Sequence, residues 1–199
     1  MAREVGPERS MRLAAKLKEA AKAFEREQYL DARRVLRPLV ERAPGAAAVR
    51  ELAGLVAYRL GRWREAIVEL EAFRQLSGST EQNPVLADCY RAVREWDTAD
   101  ELWEELRAAS PSAELVTEGR IVAAGGLADR GRLEEAVALL EQGLPRPKAP
   151  RPHHLRRFYA LADLYERVGD MARARQLFER TAAVDPDFAD VTSRLDALR

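Results

Sequence analysis

The sequence predicts an all-α protein, a solenoid of about five helix hairpins closed by one further helix at the C-terminal end. Three observations predict it. Alanines at 32, 66, 99, 136 and 174 recur at spacings of 34, 33, 37 and 38 residues, and a period in that range marks stacked supersecondary units. The residues at fixed offsets from these anchors agree in size from copy to copy. Glycine and proline punctuate the copies at the places where a helix pair must turn and stop.

The offsets have physical causes. Twelve residues before the anchors stand Ala20, Gly54, Ala87, Ala124 and Ala162. Small side chains there and at the anchors let two antiparallel helices approach closely. Four residues after stand Leu36, Leu70, Trp103, Leu140 and Phe178, and three before stand Tyr29, Trp63, Trp96, Leu133 and Met171. These bulky residues are expected to fill the gaps between the helix ridges. Five residues before, Gly61, Gly131 and Gly169 close the first helix of copies two, four and five, with Glu27 and Arg94 in their place in copies one and three. A residue there often takes a left-handed backbone. Twelve residues after, Pro44, Pro111 and Pro186 end the second helix; Lys148 replaces the proline in copy four.

Taken in order, the first hairpin has helices starting near residues 11 and 29, and Ser10 can cap the first. The second hairpin starts near 46 and 63, the third near 83 and 96. The fourth starts near 114 and 133, opened by Pro111 and Ser112, and the fifth near 152 and 171. The repeats thus cover about 13–46, 47–79, 80–113, 114–143 and 153–187, after a flexible terminus at 1–10. Between copies four and five, LPRPKAPRP (144–152) has four prolines in nine residues, which favours an extended linker; a docking segment for a partner is the alternative. A capping helix over 188–199 puts Phe188, Val191, Leu195 and Leu198 on one face.

These columns resemble the tetratricopeptide repeat (TPR). The match is best over 155–188, which includes FYALADLYERVGDMARARQLFERTAAVDPDF, where Phe158, Ala162, Tyr165, Gly169, Ala174, Phe178 and Pro186 stand where that repeat has them. The second copy, with LAGLVAYRLGRWREA, is nearly as good; the others depart from the pattern at Glu27, Arg94 and Lys148. The resemblance covers roughly residues 11–198. The block REWDTADELWEELRAASPSAELV, followed by IVAAGGLADRGRLEEA, is also similar to a group of actinobacterial TPR proteins. The resemblance implies a right-handed α-solenoid and a non-enzymatic scaffold or adaptor that holds a peptide or helix in its concave groove.

Composition sets limits on function. Lys+Arg and Asp+Glu both number 33, so the net charge is zero, which argues against a nucleic-acid binder. No apolar run approaches a membrane span, and the first residues, MAREVGPERS, lack a secretory core. A cytoplasmic protein without membrane contact is expected. One cysteine excludes an internal disulfide. No dinucleotide fingerprint, phosphate-binding loop, zinc-protease helix or nucleophile elbow is present. Cys89, inside a first helix, reads as an inert buried thiol. Adjacent His153 and His154 do not share a helix face, so no metal or cofactor is expected. Gly125-Gly126 lies inside a helical pattern and reads as a packing or groove-lining spot.

Charge is unevenly spread. Residues 65–118 carry 13 acidic and 4 basic residues, and EWDTADELWEE (95–105) has six acids and no base. RPKAPRPHHLRR (146–157) has five bases and no acid. Both stretches read first as solvated surface. They also allow a homodimer that pairs acidic with basic surfaces, the alternative to the scaffold reading.

In stacked hairpins the first helices line the concave side. The TPR resemblance places the second, fifth, ninth and twelfth residues of each unit there. The candidate partner-binding residues are Glu51, Leu55, Tyr58 and Arg59 in copy two, Asp88 and Arg91 in copy three, Glu118 in copy four, and Arg156, Tyr159 and Asp163 in copy five. Leu55, Tyr58 and Tyr159 are expected to be exposed contacts. Leu17, Ala21 and Leu55 stand where a carboxylate clamp would need Lys or Asn, so a chaperone-tail receptor is not expected; the groove reads as mixed and mildly acidic in its middle, which suits a peptide or helix with basic and apolar residues.

Overall fold

The computed structural model describes residues 7–145 and 147–198. Among them are eleven helices and no strand: α1 (Pro7–Glu25), α2 (Tyr29–Arg42), α3 (Ala47–Arg59), α4 (Trp63–Ser77), α5 (Asn83–Ala92), α6 (Trp96–Ala109), α7 (Ala113–Asp129), α8 (Leu133–Glu141), α9 (Pro152–Arg167), α10 (Met171–Ala182) and α11 (Val191–Ala197). The chain forms two compact units, residues 1–102 and 103–199.

In the first unit α1 and α2 pair, α3 lies against α2 and pairs with α4, and α5 lies against α4. Leu13, Ala20, Ala32, Leu36, Leu39, Val49 and Val56 are buried between the first three helices. In the second unit α7 pairs with α8 and α9 with α10, while α11 lies on α10. Its core holds Leu140, Leu155, Phe158, Leu161, Ala162, Leu164, Ala174, Phe178 and Val191.

The small columns mark the helix crossings. All five residues twelve before the anchors are buried, as are all five residues four after. Gly54 shows why size matters. A Cβ on it would stand 2.5 Å from Leu70 Cγ and 2.6 Å from Leu70 Cδ2, so α3 meets α4 at a separation only glycine permits. Ala32, Ala66, Ala136 and Ala174 are fully buried, whereas Ala99 is only half-buried.

Each first helix of a hairpin closes in the same way. At Gly61, the Gly61 N–H donates to Tyr58 O and the next N–H, of Arg62, donates to Ala57 O. The same two bonds recur at Glu27, Arg94, Gly131 and Gly169. All five residues are left-handed, with φ of 58° at Glu27 and 64° at Arg94 among them. The two non-glycine copies carry the strain of that conformation.

Four expectations need correction. Helix α1 begins at Pro7, so residues 7–10 are helical and Ser10 lies inside the helix instead of capping it; a proline is tolerated in a first turn, where its missing N–H had no helical partner. The last helix begins at Val191, with Phe188 ahead of it but packed on the core. The bulky column three before the anchors is only partly buried, and Met171 is 49% exposed. Its five members are the first residues of α2, α4, α6, α8 and α10, where the hairpin turn leaves one side open to water. Finally, Pro152 is the first residue of α9 and not part of the linker. The linker itself is tied to the second unit: Leu144 packs on the core and Arg180 donates to Pro145 O at 3.3 Å.

Candidate interaction surface

The candidate residues occupy successive first helices within each unit, and their side chains engage one another across those helices. On α3, Tyr58 donates its hydroxyl to Asp88 Oδ2 on α5 at 2.8 Å. Asp88 also pairs with Arg91 Nε at 2.9 Å. Two turns earlier, Glu51 accepts from Gln82 Nε2 at 2.8 Å, just ahead of α5. Arg59 is exposed, lies 3.5 Å from Glu27 and stacks over the Tyr29 ring. Leu55 is half-buried.

The second unit repeats the arrangement. Arg156 on α9 donates to Glu118 on α7 at 2.7 Å. Asp163 accepts from Arg194 on α11 at 2.9 Å, and Glu166 accepts from the same guanidinium. Tyr159 donates to Asp190, just ahead of α11. Its ring meets Phe178 edge-on at 5.5 Å and Phe188 at 5.7 Å.

Tyr58 and Tyr159 are therefore not the freely exposed contacts the sequence suggested. Both are half-buried, because a position that looks outward in an isolated hairpin meets the next first helix in a stack. Burial, followed by the Asp88 charge and hydrogen bond, raises Tyr58 far above the ordinary phenol range. Burial and the hydrogen bond to Asp190 raise Tyr159. Both hydroxyls stay protonated at neutral pH and serve as donors.

Cys89 is fully buried, and burial followed by Asp88 pushes its thiol up to about 12. That is the opposite of an activated nucleophile. His153 is buried, 3.7 Å from Glu114, and His154 Nδ1 accepts the Arg151 N–H at 2.9 Å, closing the start of α9. Among the described residues no group of three or more His, Cys, Asp or Glu is placed to hold a metal ion. Gly126 is buried, and its carbonyl accepts from Arg130 Nε at 3.0 Å, an ordinary helix interior position. A cleft of about 120 Å³ lies between α2, α3 and α4, floored by Leu36, Val40, Ala53 and Val56 and rimmed by Arg33 and Glu65.

Two stretches of the chain match family models described as tetratricopeptide repeat, residues 17–77 and 127–195. The chain is a tetratricopeptide-repeat protein. Among solved structures, this TPR chain is similar to a thermophilic TPR protein of Thermus thermophilus (TM-score 0.66, 16% identity, covering 94% of this chain and 98% of that one). It is also similar to a TPR protein of Parabacteroides merdae (TM-score 0.71, 14% identity, covering 94% and 70%). The third is PilW, a type IV pilus biogenesis factor (TM-score 0.72, 13% identity, covering 92% and 86%). Identities this low establish the shared α-solenoid fold of TPR hairpins and nothing about partners. Among curated proteins none matches the sequence. TPR repeats generally mediate protein–protein interaction. No helix among the described residues is long and apolar enough to cross a membrane.

The sequence did not point to the arginines gathered at the end of α8. Arg157 reads as part of a solvated basic run, yet it is buried. The signal was available: His153, Arg157, Leu161 and Leu164 fall on one helical stripe, and all four are buried.

Proposed function

We propose that this TPR chain is a non-enzymatic interaction module that binds a peptide or helix of a partner protein along the polar faces of its first helices. The observation that carries the reading is the recurrence of charged and hydroxyl side chains at the surface of successive first helices, α3 to α5 and α7 to α9, in pairs such as Glu51–Gln82 and Arg156–Glu118. Pairs of this kind are partly exposed. They cost little to open and can be exchanged for a partner's groups. A single buried thiol suits a reducing compartment, and the reading takes the cytoplasm as the place of action.

The test is affinity capture from cells that make the protein, comparing the parent with a Glu51→Arg/Arg59→Glu variant. These are better positions than Tyr58 and Tyr159, whose hydroxyls hold neighbouring helices together. The reading predicts that the variant melts like the parent and loses captured proteins. Retention of the whole captured set would refute it.

A second reading is self-association through opposite charges. It is favoured by the exposure of Asp97, Glu101 and Glu104 on α6 and of Lys148 and Arg151 beside α9. It predicts a dimer by light scattering at low salt that separates at high salt; a monomer at every salt and protein concentration removes it.

A further inference from the structure

The short helix α8 ends among cations. Arg157, from α9, donates to Leu140 O through Nε at 3.0 Å and Nη2 at 2.8 Å, and to Gln142 O at 2.6 Å. Arg120, from α7, donates through Nη1 to Leu139 O at 3.1 Å and to the Gln142 side chain and carbonyl at 3.2 and 3.4 Å. Arg180, from α10, reaches Pro145 O and lies 4.1 Å over the Phe158 ring. Among the described residues each acceptor of these three guanidinia is a neutral carbonyl. Among the described residues the carboxylates pair with other arginines, as Glu118 does with Arg156 and Glu141 with Arg173.

The charge balance is unequal. The C-terminal end of a helix offers about half a negative charge; two whole positive charges, Arg120 and Arg157, converge on it, and a third, Arg180, holds the segment just beyond at Pro145. Exposed Lys148 and Arg151 add to them from the neighbouring segment. Against them stand Glu114, 3.9 Å from Arg151 and 3.7 Å from His153, and Glu141, the last residue of α8, whose charge is already met by Arg173 at 3.0 Å. The neighbouring cations add to the effect of burial on the titrating groups. Burial and then Arg120 bring Arg157 down to about 10. Burial, followed by His153, Arg151, Arg180 and Arg157, lowers His154.

We propose that this face of the second unit, where Arg120 lies at the carbonyl end of α8, Arg180 on the segment that follows it and exposed Lys148 and Arg151 on the stretch leading into α9, docks an acidic segment of a partner protein, a run of Asp and Glu side chains. The inference rests on the interaction-module reading and names the partner's chemistry. Guanidinium forks match carboxylates in shape and charge, and the exposed Lys148 and Arg151 steer the acidic run inward. Nucleic acid is the poorer fit. The arginines gather at one helix end and not in a stripe at phosphate spacing, and the aromatic rings beside them, Trp103 by Arg120 and Phe158 by Arg180, are buried and offer no stacking face.

The probe is fluorescein-labelled deca-glutamate, followed by anisotropy at low and high salt with the full chain. The parent binds at low salt and releases at high salt. Lys148→Glu/Arg151→Glu folds normally, because both side chains are exposed, and binds roughly tenfold or more weakly. Glu51→Arg/Arg59→Glu, in the other unit, binds the peptide like the parent. Failure here therefore leaves the first-helix reading standing, and failure of that reading leaves this one testable. Four results would overturn the proposal: no binding by the parent; equal binding by the Lys148→Glu/Arg151→Glu variant; tighter binding of an oligo-uridylate of the same length; or a low-salt dimer of the parent that the peptide does not compete away.

Discussion

Replacing Gly54 with alanine tests the packing on which both functional readings stand. The new methyl would stand 2.5 and 2.6 Å from Leu70 Cγ and Cδ2 and 3.2 Å from the Leu70 backbone nitrogen. Carbon atoms in good contact sit about 3.5–4.0 Å apart, so roughly 1 Å must be absorbed. Leu70 is fully buried and cannot swing into water. Overpacking of this kind costs about 1–3 kcal/mol, and removing a glycine from a helix interior returns about 0.5–1 kcal/mol. Contacts this short against a buried side chain belong in the upper part of the overpacking range, about 2–3 kcal/mol, so the expected net loss is about 1–2.5 kcal/mol, or about 2–10 °C in Tm for a chain of this length. Urea titration and thermal melting by circular dichroism measure it. Gly45→Ala is the control, since its Cβ would meet nothing within 4 Å, and it should stay within about 0.5 kcal/mol of the parent. Leu70→Ala alone should cost about 2–5 kcal/mol, and in the Gly54→Ala background less, by at least about 0.5 kcal/mol of coupling. A Gly54→Ala protein as stable as the parent, or additive losses in the double variant, would refute close contact of α3 on α4.

Glu27→Gly and Arg94→Gly should each stabilise by about 1 kcal/mol, because both residues hold a left-handed backbone; an unchanged or lower urea midpoint would contradict this. Arg157→Leu strips the buried end of α8 of its donors and should cost roughly 1–3 kcal/mol, whereas Arg156→Ala, half exposed, should cost less than about 1 kcal/mol in the same titration. At alkaline pH, Cys89, Tyr90 and Tyr165 are each pushed up to about 12 by burial, with Tyr58 and Tyr159 also raised. The folded chain then holds these protons more tightly than the unfolded chain does. Their contribution to stability is complete below about pH 9 and is lost as the pH rises toward 12. Arg120 and Arg157, lowered by burial, act in the opposite sense but are outnumbered. Urea midpoints that rise over that window would show the sign to be wrong.

The fold was largely legible because nesting helices impose size on particular positions. Ala20, Gly54, Ala87, Ala124 and Ala162 are small for the reason Gly54 displays, and the left-handed turn recurs even where Glu27 and Arg94 replace glycine. The surface was less legible. Tyr159 and Asp163 were placed on the correct helix, but whether they face water depends on what packs next to α9. In the structure that is α11, through Asp190 and Arg194. Burial of Arg157 was hidden for a related reason: a guanidinium is costly to desolvate unless acceptors are waiting, and those acceptors are backbone carbonyls of another helix that carry no signature in side-chain type.

A photo-crosslinking residue introduced separately at Arg59 and Arg156 on first helices, and at Arg34 and Arg175 on second helices, tests the interaction surface directly, since all four side chains are at least about half exposed. Irradiation of cells making each variant should give adducts of higher mass from Arg59 and Arg156 and none from Arg34 and Arg175. Adducts confined to Arg34 and Arg175 would place the binding surface on the second helices and contradict the account.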